Sequence, residues 1–322
     1  MSKHEHLVNG IMNSIEEGVI QKGDQLPSIN KMVDTIGYAR KTIVKAYEEL
    51  KERGIVESKN FKGYFISSDK TDQVLKVALV LYAFGTIQEN FYNVFKSHTN
   101  PNIEIEVFFH HNSVSALEEI LDRIDRKYGF YVIAPIEDSK IKTLLQKIPP
   151  SKLLIVDRYY LPTEEYSHIT QEFDKSTYDN LKELLPSIRE YKELILLYIK
   201  NSAAPLDAIR GFKRFLKDFN IPGRLQGTYE DGVVEKGSAY YVLSDDFLWR
   251  LLRDCRNQKL TIAKDIGIIG HNDNLIKELI SGGITTISTD FEMMGKLAAD
   301  CVNNQNKVQI HLPTYLKKRI SI

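Results

Sequence analysis

Apolar residues recur at helical spacing through the first fifty positions. Leu7, Ile11 and Ile15, continued by Val19, predict a helix over residues 5–18, with Gly18 and Gly23 at its end. Ser28 is placed to cap a short second helix that runs to about Thr35. Residues 36–54 read as one amphipathic helix. Ile43, Ala46, Tyr47 and Leu50 line one face, while Arg40, Lys41, Val44 and Lys45 fall on the other. Residues 55–58 and 64–67 read as two strands around a turn at 60–63. Three helices followed by a two-stranded hairpin make a winged helix-turn-helix.

From Lys76 the pattern changes. Residues 77–82 form a continuous apolar run, as expected of a strand buried on both faces. Helices over 87–97, 114–126 and 140–147 then alternate with strands over 103–109, 130–134 and 153–156. The alternation restarts with a helix near 177–191, a strand over 194–199, a helix over 205–219 and a strand-like 224–229. A strand over 240–243, a helix over 247–257 and a strand over 266–270 follow. Alternation at this spacing predicts a doubly wound parallel sheet, and two successive halves predict two lobes with a cleft between them. The expected fold class is therefore α/β. It comprises a winged helix-turn-helix over 1–70, a linker over 71–75 that overlaps the polar stretch 67–73, and a two-lobed doubly wound parallel α/β domain over 76–322.

A chain of 322 residues with 43% hydrophobic content can build a core in each domain. Lys+Arg and Asp+Glu are equal at 43 each, so nucleic-acid binding would have to rest on local charge. Residues 38–63 supply a modest excess: Arg40, Lys41, Lys45, Lys51, Arg53, Lys59 and Lys62 against Glu48, Glu49, Glu52 and Glu57. Cys255 and Cys301 are far apart and form no disulfide framework, which fits a reducing compartment. The N-terminus opens no signal-peptide core, and no apolar run approaches the roughly 20 residues of a membrane helix. A soluble cytoplasmic protein with no membrane contact is expected.

A helix with an apolar back and a basic N-terminal front suits the DNA major groove, which is about 12 Å wide. The same pattern also describes a solvated surface helix. The neighbouring motifs weigh for DNA. Gly23-Asp24-x-Leu26-Pro27-Ser28, Arg40-x-Thr42-Ile43, Ala46-Tyr47-x-x-Leu50-x-x-x-Gly54 and Lys62-Gly63-x-Phe65 follow in order. In these motifs residues 8–68 resemble the DNA-binding domain of GntR-family bacterial transcription regulators. The resemblance implies that Ser28 binds phosphate at a helix N-terminus, that Arg40 and Thr42 dock the recognition helix on bases and backbone, and that Gly63 lets the wing approach the minor groove. Three positions depart from the family. Asn30 stands for an arginine and keeps hydrogen-bonding capacity without charge. Ala39 stands for a capping serine or threonine, so Gly37 is expected to take over the helix start. Val44 stands where a basic residue is frequent, and Lys41 and Lys45 are expected to restore the charge.

Residues 76–321 resemble the ligand-binding domain of LacI-type repressors, which is related to periplasmic sugar-binding proteins (type I). The motifs are Asp265-Ile266-Gly267-Ile268-Ile269-Gly270-His271-Asn272-Asp273, Gly283-Ile284-Thr285-Thr286-Ile287, Met294-Gly295-x-x-Ala298 and Leu312-Pro313-x-x-Leu316-x-x-Arg319-x-Ser321. Ile155-Val156-Asp157-Arg158 and Ser244-Asp245 add to them. The resemblance implies a ligand between the lobes. Phe84 would be a wall after the first strand, Asp157 and Arg158 would end the fourth, and Ser244, Asp245 and Asn272 would face the cleft from the second lobe. Tyr229 would either stack on a sugar or belong to the core. Where the family carries its ligand arginine this chain has Ala208, ahead of Gly211-Phe212. Arg210 either substitutes for it or is a surface residue. The expected partners are double-stranded operator DNA, a small carbohydrate effector and a second copy of the chain in a homodimer.

No catalytic or cofactor motif competes with this reading. There is no Gly-rich phosphate loop and no nucleophile elbow, and no cofactor is expected. His110-His111 and His4-x-His6 lack partners at metal-ligand spacing. Asp245-Asp246 is explained as a strand-end pair in a binding cleft. Two rivals stay open at this point: an α/β enzyme acting on a carbohydrate and fused to a DNA-binding head, and a regulator with a vestigial cleft.

Overall fold

The computed structural model of the chain describes residues 3–60, 62–68, 74–136, 138–158, 165–199 and 206–322. Residues 71–73 of the expected linker and Pro205, first in an expected helix, lie outside the described residues. Two compact units are present. One holds the described residues up to Leu79 with Asn100–Glu106 and Ile124–Tyr131, and the other holds the rest.

The first unit opens with α1 (Lys3–Glu16), α2 (Ile29–Ile36) and α3 (Arg40–Glu52), then β1 (Val56–Lys59) and β2 (Gly63–Ile66). Ile43, Ala46, Tyr47 and Leu50 of α3 are fully buried, and Leu7, Val8, Ile11, Met12 and Ile15 of α1 close over them. Val19 is 72% exposed and takes no part in this core. Ser28 caps α2, its Oγ accepting from the Lys31 N–H at 3.2 Å. Gly37 does not start α3. It sits at φ +67° and donates to the Val33 carbonyl, ending α2 in the left-handed conformation that a residue without Cβ adopts freely. Ala39 is the N-cap of α3, with no side-chain bond to its amides. β1 and β2 pair antiparallel from Val56↔Ile66 to Lys59↔Gly63, forming the wing.

The α/β region continues with β3 (Leu75–Leu81), α4 (Thr86–His98), β4 (Ile103–Phe109), α5 (Val114–Ile124), β5 (Phe130–Ile133), α6 (Ser139–Leu145), β6 (Leu153–Asp157) and β7 (Ser167–Glu172). Then come α7 (Asp174–Glu183), α8 (Leu185–Ile188), β8 (Glu193–Leu197), α9 (Leu206–Phe219), β9 (Gly223–Gln226) and β10 (Ser238–Val242). The last elements are α10 (Asp245–Asn257), β11 (Gly267–His271), α11 (Leu275–Leu279), β12 (Thr285–Thr289), α12 (Phe291–Asn304) and β13 (Gln309–Lys317).

The strand order is β4-β3-β5-β6-β7-β13-β12-β11-β10-β8-β9. β13 joins two sheets. Gln309–Pro313 pair parallel with β7, and the next residues, Thr314–Lys317, pair antiparallel with β12. The expected doubly wound parallel sheet is present, and among its described pairings only β12 with β13 is antiparallel, where the final strand returns across both lobes. β7 was not legible in the sequence. Its residues Ser-His-Ile-Thr-Gln-Glu look polar, yet the first four are buried because β6 and β13 flank it. The helix expected over 177–191 is two, α7 and α8, with Pro186 in the first turn of the second.

Candidate functional site

In the head, the expected DNA-binding residues lie at the start of α2, in the first turns of α3 and at the wing turn. Ser28, Asn30, Arg40, Lys41, Lys45, Lys62 and Gly63 are exposed, and Thr42 is half-buried. The Arg40 guanidinium donates to Asn30 Oδ1, a pairing that the sequence departure at Asn30 did not foretell. The residue replacing the family's arginine thus holds the remaining arginine across the α2–α3 turn. Gly63 sits at φ +99°, and a side chain there would also crowd Gln25 Nε2, which donates to the Lys62 carbonyl. The wing tip is pinned from behind.

The second site lies within the second unit. A cleft of about 350 Å³ opens where several strands end at their C-terminal sides. That is near the lower end of the roughly 300–1,000 Å³ typical of ligand pockets, which suits one small molecule. Its polar walls include Asp157 and Arg158 after β6, Gln171 on β7, Ser244 and Asp245 at the start of α10, and Asn272 after β11. Tyr82, Phe173 and Phe291 are its aromatic surfaces. Asp157 and Asn272 adopt left-handed backbone, at φ +69° and +57°, as the chain turns out of each strand.

Five of the eight expected ligand residues meet here: Asp157, Arg158, Ser244, Asp245 and Asn272. Three do not line the cleft. Phe84 is 69% exposed and packs edge-on against Phe109. Arg210 is a surface residue of α9, paired with Asp207 at 2.8 Å and with Asp174 at 3.4 Å, so its helical phase carries it away from the cavity. Tyr229 is core. Its hydroxyl donates to buried Asp254 at 2.8 Å, and Arg250 lies over its ring.

The cleft is braced by a polar network. Gln171 Nε2 donates to Asp157 Oδ1, and Gln171 Oε1 accepts from Thr289 at the end of β12. One side chain thereby ties strand ends from both sheets. Buried His110 lies 3.0 Å from the Ala134 carbonyl through Nε2 and accepts from the Asn112 N–H through Nδ1, an arrangement for neutral imidazole. Burial pushes its pKa down. His271 is buried with Nδ1 3.2 Å from the Tyr241 hydroxyl. Burial first, then the charges of Lys277 and Arg158, holds its pKa at about 3. Among the described residues no three His, Cys, Asp or Glu side chains gather as a metal site, and no helix is long and apolar enough to cross a membrane.

These histidines set an acid limit on stability. In the unfolded chain they titrate near 6.5. In the folded protein His271 stays neutral down to about pH 3. Below pH 6.5 the unfolded state binds more protons, so stability present above that pH is lost as pH falls towards 3. The melting midpoint should drop between pH 7 and pH 5. His271→Gln should flatten that drop, and an unchanged slope in the variant would assign the loss elsewhere.

Residues 3–66 match the family model described as bacterial regulatory proteins, gntR family, and residues 217–319 match the periplasmic binding protein-like domain. The chain joins a gntR-type head to a periplasmic binding protein-like domain. The head is similar to HTH-type transcriptional regulator Rv1152 of Mycobacterium tuberculosis, 32% identical over 73 residues, which are 22% of this chain and 60% of the relative. It is also similar to HTH-type transcriptional repressor YtrA of Bacillus subtilis, 30% identical over 66 residues, 20% of this chain and 51% of the relative. The chain thus spans between about half and three-fifths of the length of these curated relatives.

The α/β fold is that of LacI-type regulators. A transcription regulator-like protein from Staphylococcus haemolyticus superposes with TM-score 0.64 at 17% identity, over 77% of this chain and 98% of the other. A LacI family regulator from Lactobacillus casei with bound glucose gives 0.62 at 13%, over 77% and 99%. The lac repressor dimer bound to operator and the anti-inducer ONPF gives 0.62 at 18%, over 77% and 94%. At these identities the likeness is one of fold. The curated proteins that the head resembles and the solved structures that share the α/β fold are transcription regulators by name.

Proposed function

We propose that this chain is a ligand-responsive bacterial transcription regulator that works in the cytoplasm. A DNA-binding head over 1–70, joined by a linker over 71–75 to an effector domain over 76–322, binds a two-fold operator as a homodimer. The effector is a sugar or sugar derivative held in the cleft. The observation that carries the reading is a polar-walled cleft sized for one small molecule, in a chain whose head is of gntR type. Exposed Leu275, Ile276 and Leu279 on α11 support association with a second copy, since an apolar cluster on so short a helix is a contact surface in search of a partner.

In the head, Ser28 binds phosphate, Arg40 reads a base edge with Asn30 orienting it, Thr42 and Lys62 contact backbone, Lys41 and Lys45 supply charge, and Gly63 admits the wing. In the cleft, Asp157, Arg158, Ser244, Asp245 and Asn272 hold the ligand. The effector acts by binding one arrangement of the paired heads better than the other.

Two measurements test this. A thermal-shift screen against monosaccharides, sugar phosphates and nucleosides should give a clear hit, because a ligand at 100 times its Kd adds about 2.7 kcal/mol. A flat response across the panel removes the sugar effector. Arg40→Ala should weaken binding to an operator selected from random duplexes by roughly 5- to 150-fold, since a bidentate base contact carries about 1–3 kcal/mol. The thermal shift should stay intact. Unchanged operator affinity at fixed salt would sink the docking of α3.

A further inference from the structure

Lys277, in α11, is completely buried, which is rare for a lysine. Its ammonium group meets three oxygens: the carbonyls of His271 at 2.7 Å and Asn272 at 2.8 Å, and Asp245 Oδ1 at 2.6 Å. Three donors and three acceptors match one for one. All three acceptor residues line the cleft, whereas Lys277 does not. The lysine therefore stands behind the wall and ties the end of β11 to the first turn of α10.

Two consequences follow from this placement. Asn272, in left-handed backbone, is fixed from one side by Lys277 and from the other by its own N–H, which donates to the Ile287 carbonyl at 2.8 Å. Its Oδ1 is buried with no hydrogen-bond partner, an acceptor left over at the cleft wall. Asp245, whose side chain is half exposed, is balanced by the buried ammonium, so this wall carries no net charge from the pair.

We propose that Lys277 is a positioning residue of the cleft: it sets Asn272 and neutralises Asp245, so that the second-lobe wall takes an uncharged, hydroxyl-bearing edge of the ligand. The proposal rests on the sugar-effector reading above and narrows it to neutral polyols on this wall. Replacing the ammonium by an apolar group of similar length leaves Asp245 unbalanced and favours a cationic ligand. Removing the carboxylate charge instead leaves the ammonium unbalanced and disfavours one.

The test uses the full chain and four probes, D-glucose, D-galactose, D-glucosamine and D-galactosamine, with affinities measured by calorimetry at pH 7. Lys277→Met should lose at least tenfold in affinity for the neutral hexose that the wild type binds. Its ratio of amino-sugar to hexose affinity should rise at least threefold. Asp245→Asn, a change at an exposed side chain that keeps the fold within reach even if Lys277→Met does not, should move that ratio at least threefold in the opposite direction. Lys277→Met/Asp245→Asn should return it towards the wild-type value. A lysine that only supports the fold would weaken both sugar types alike, and an unmoved ratio in Asp245→Asn overturns the proposal. Failure of the wild type to bind any of the four probes also overturns it, while the wider ligand screen decides separately whether the sugar reading survives.

Discussion

Gly211→Ala will destabilise the α/β domain by about 3 kcal/mol or more, at the upper end of what overpacking brings. A Cβ on Gly211 would stand 2.2 Å from the Asp174 carbonyl oxygen and 3.2 Å from Thr177 Cβ. Both belong to α7, so two backbones would have to part. Phe212 and Phe215, fully buried beside this crossing, would lose their packing with them. The sign is informative because the local preference runs the other way: alanine is favoured over glycine inside a helix by about 1 kcal/mol. A looser α7–α9 crossing would make the variant more stable than the wild type. Urea unfolding followed by tryptophan fluorescence reads the difference, and a raised midpoint would refute the close approach.

Tyr47→Ala will unfold the head, with an expected loss of about 3–5 kcal/mol for a large aromatic truncated in a core. Tyr47 is wholly buried, stacks edge-on with Tyr64 of the wing at 5.0 Å and donates from its hydroxyl to the Pro27 carbonyl at 2.8 Å. It joins α3 to the wing and to the segment that leads into α2. Tyr47→Phe keeps the ring and removes one hydrogen bond, for a loss of about 1 kcal/mol. Burial pushes the Tyr47 hydroxyl pKa up to about 12, so it stays a donor across the physiological range. Loss of operator binding in Tyr47→Ala with intact sugar binding would locate the damage in the head. Equal stability of the alanine and phenylalanine variants would count against the ring's part in the core.

The two regions differ in how much of them could be read from sequence, and the reason is physical. In the head, contacts are local. Ile43, Ala46, Tyr47 and Leu50 repeat at helical spacing, so the buried face follows from periodicity alone, and Ser28 caps three residues ahead of its partner. Even there, α3 starts from Ala39 and not from Gly37, because Gly37 ends α2 in left-handed backbone. In the α/β region the strand ends were legible wherever an apolar run stopped at a polar pair, as at Asp157-Arg158 and His271-Asn272. Tyr229 and Arg210 were not legible. Which face of a strand end or helix turns to a cavity depends on partners far along the chain, such as Asp254 for Tyr229 and Asp174 for Arg210.

By itself the sequence determined the winged head, the strand–helix alternation and the two-lobed plan, since each rests on local spacing, and the resemblance of its short motifs to LacI-type domains implied five of the residues that line the cleft. Only the tertiary structure decided that polar Ser167–Glu172 is a central strand, that β13 crosses between the sheets, that Asn30 holds Arg40, and that Lys277 lies behind Asp245 and Asn272. Each of these depends on a partner that the fold supplies: burial makes a polar segment a strand only when both neighbours are present, and a buried ammonium is tolerated only where three oxygens converge on it.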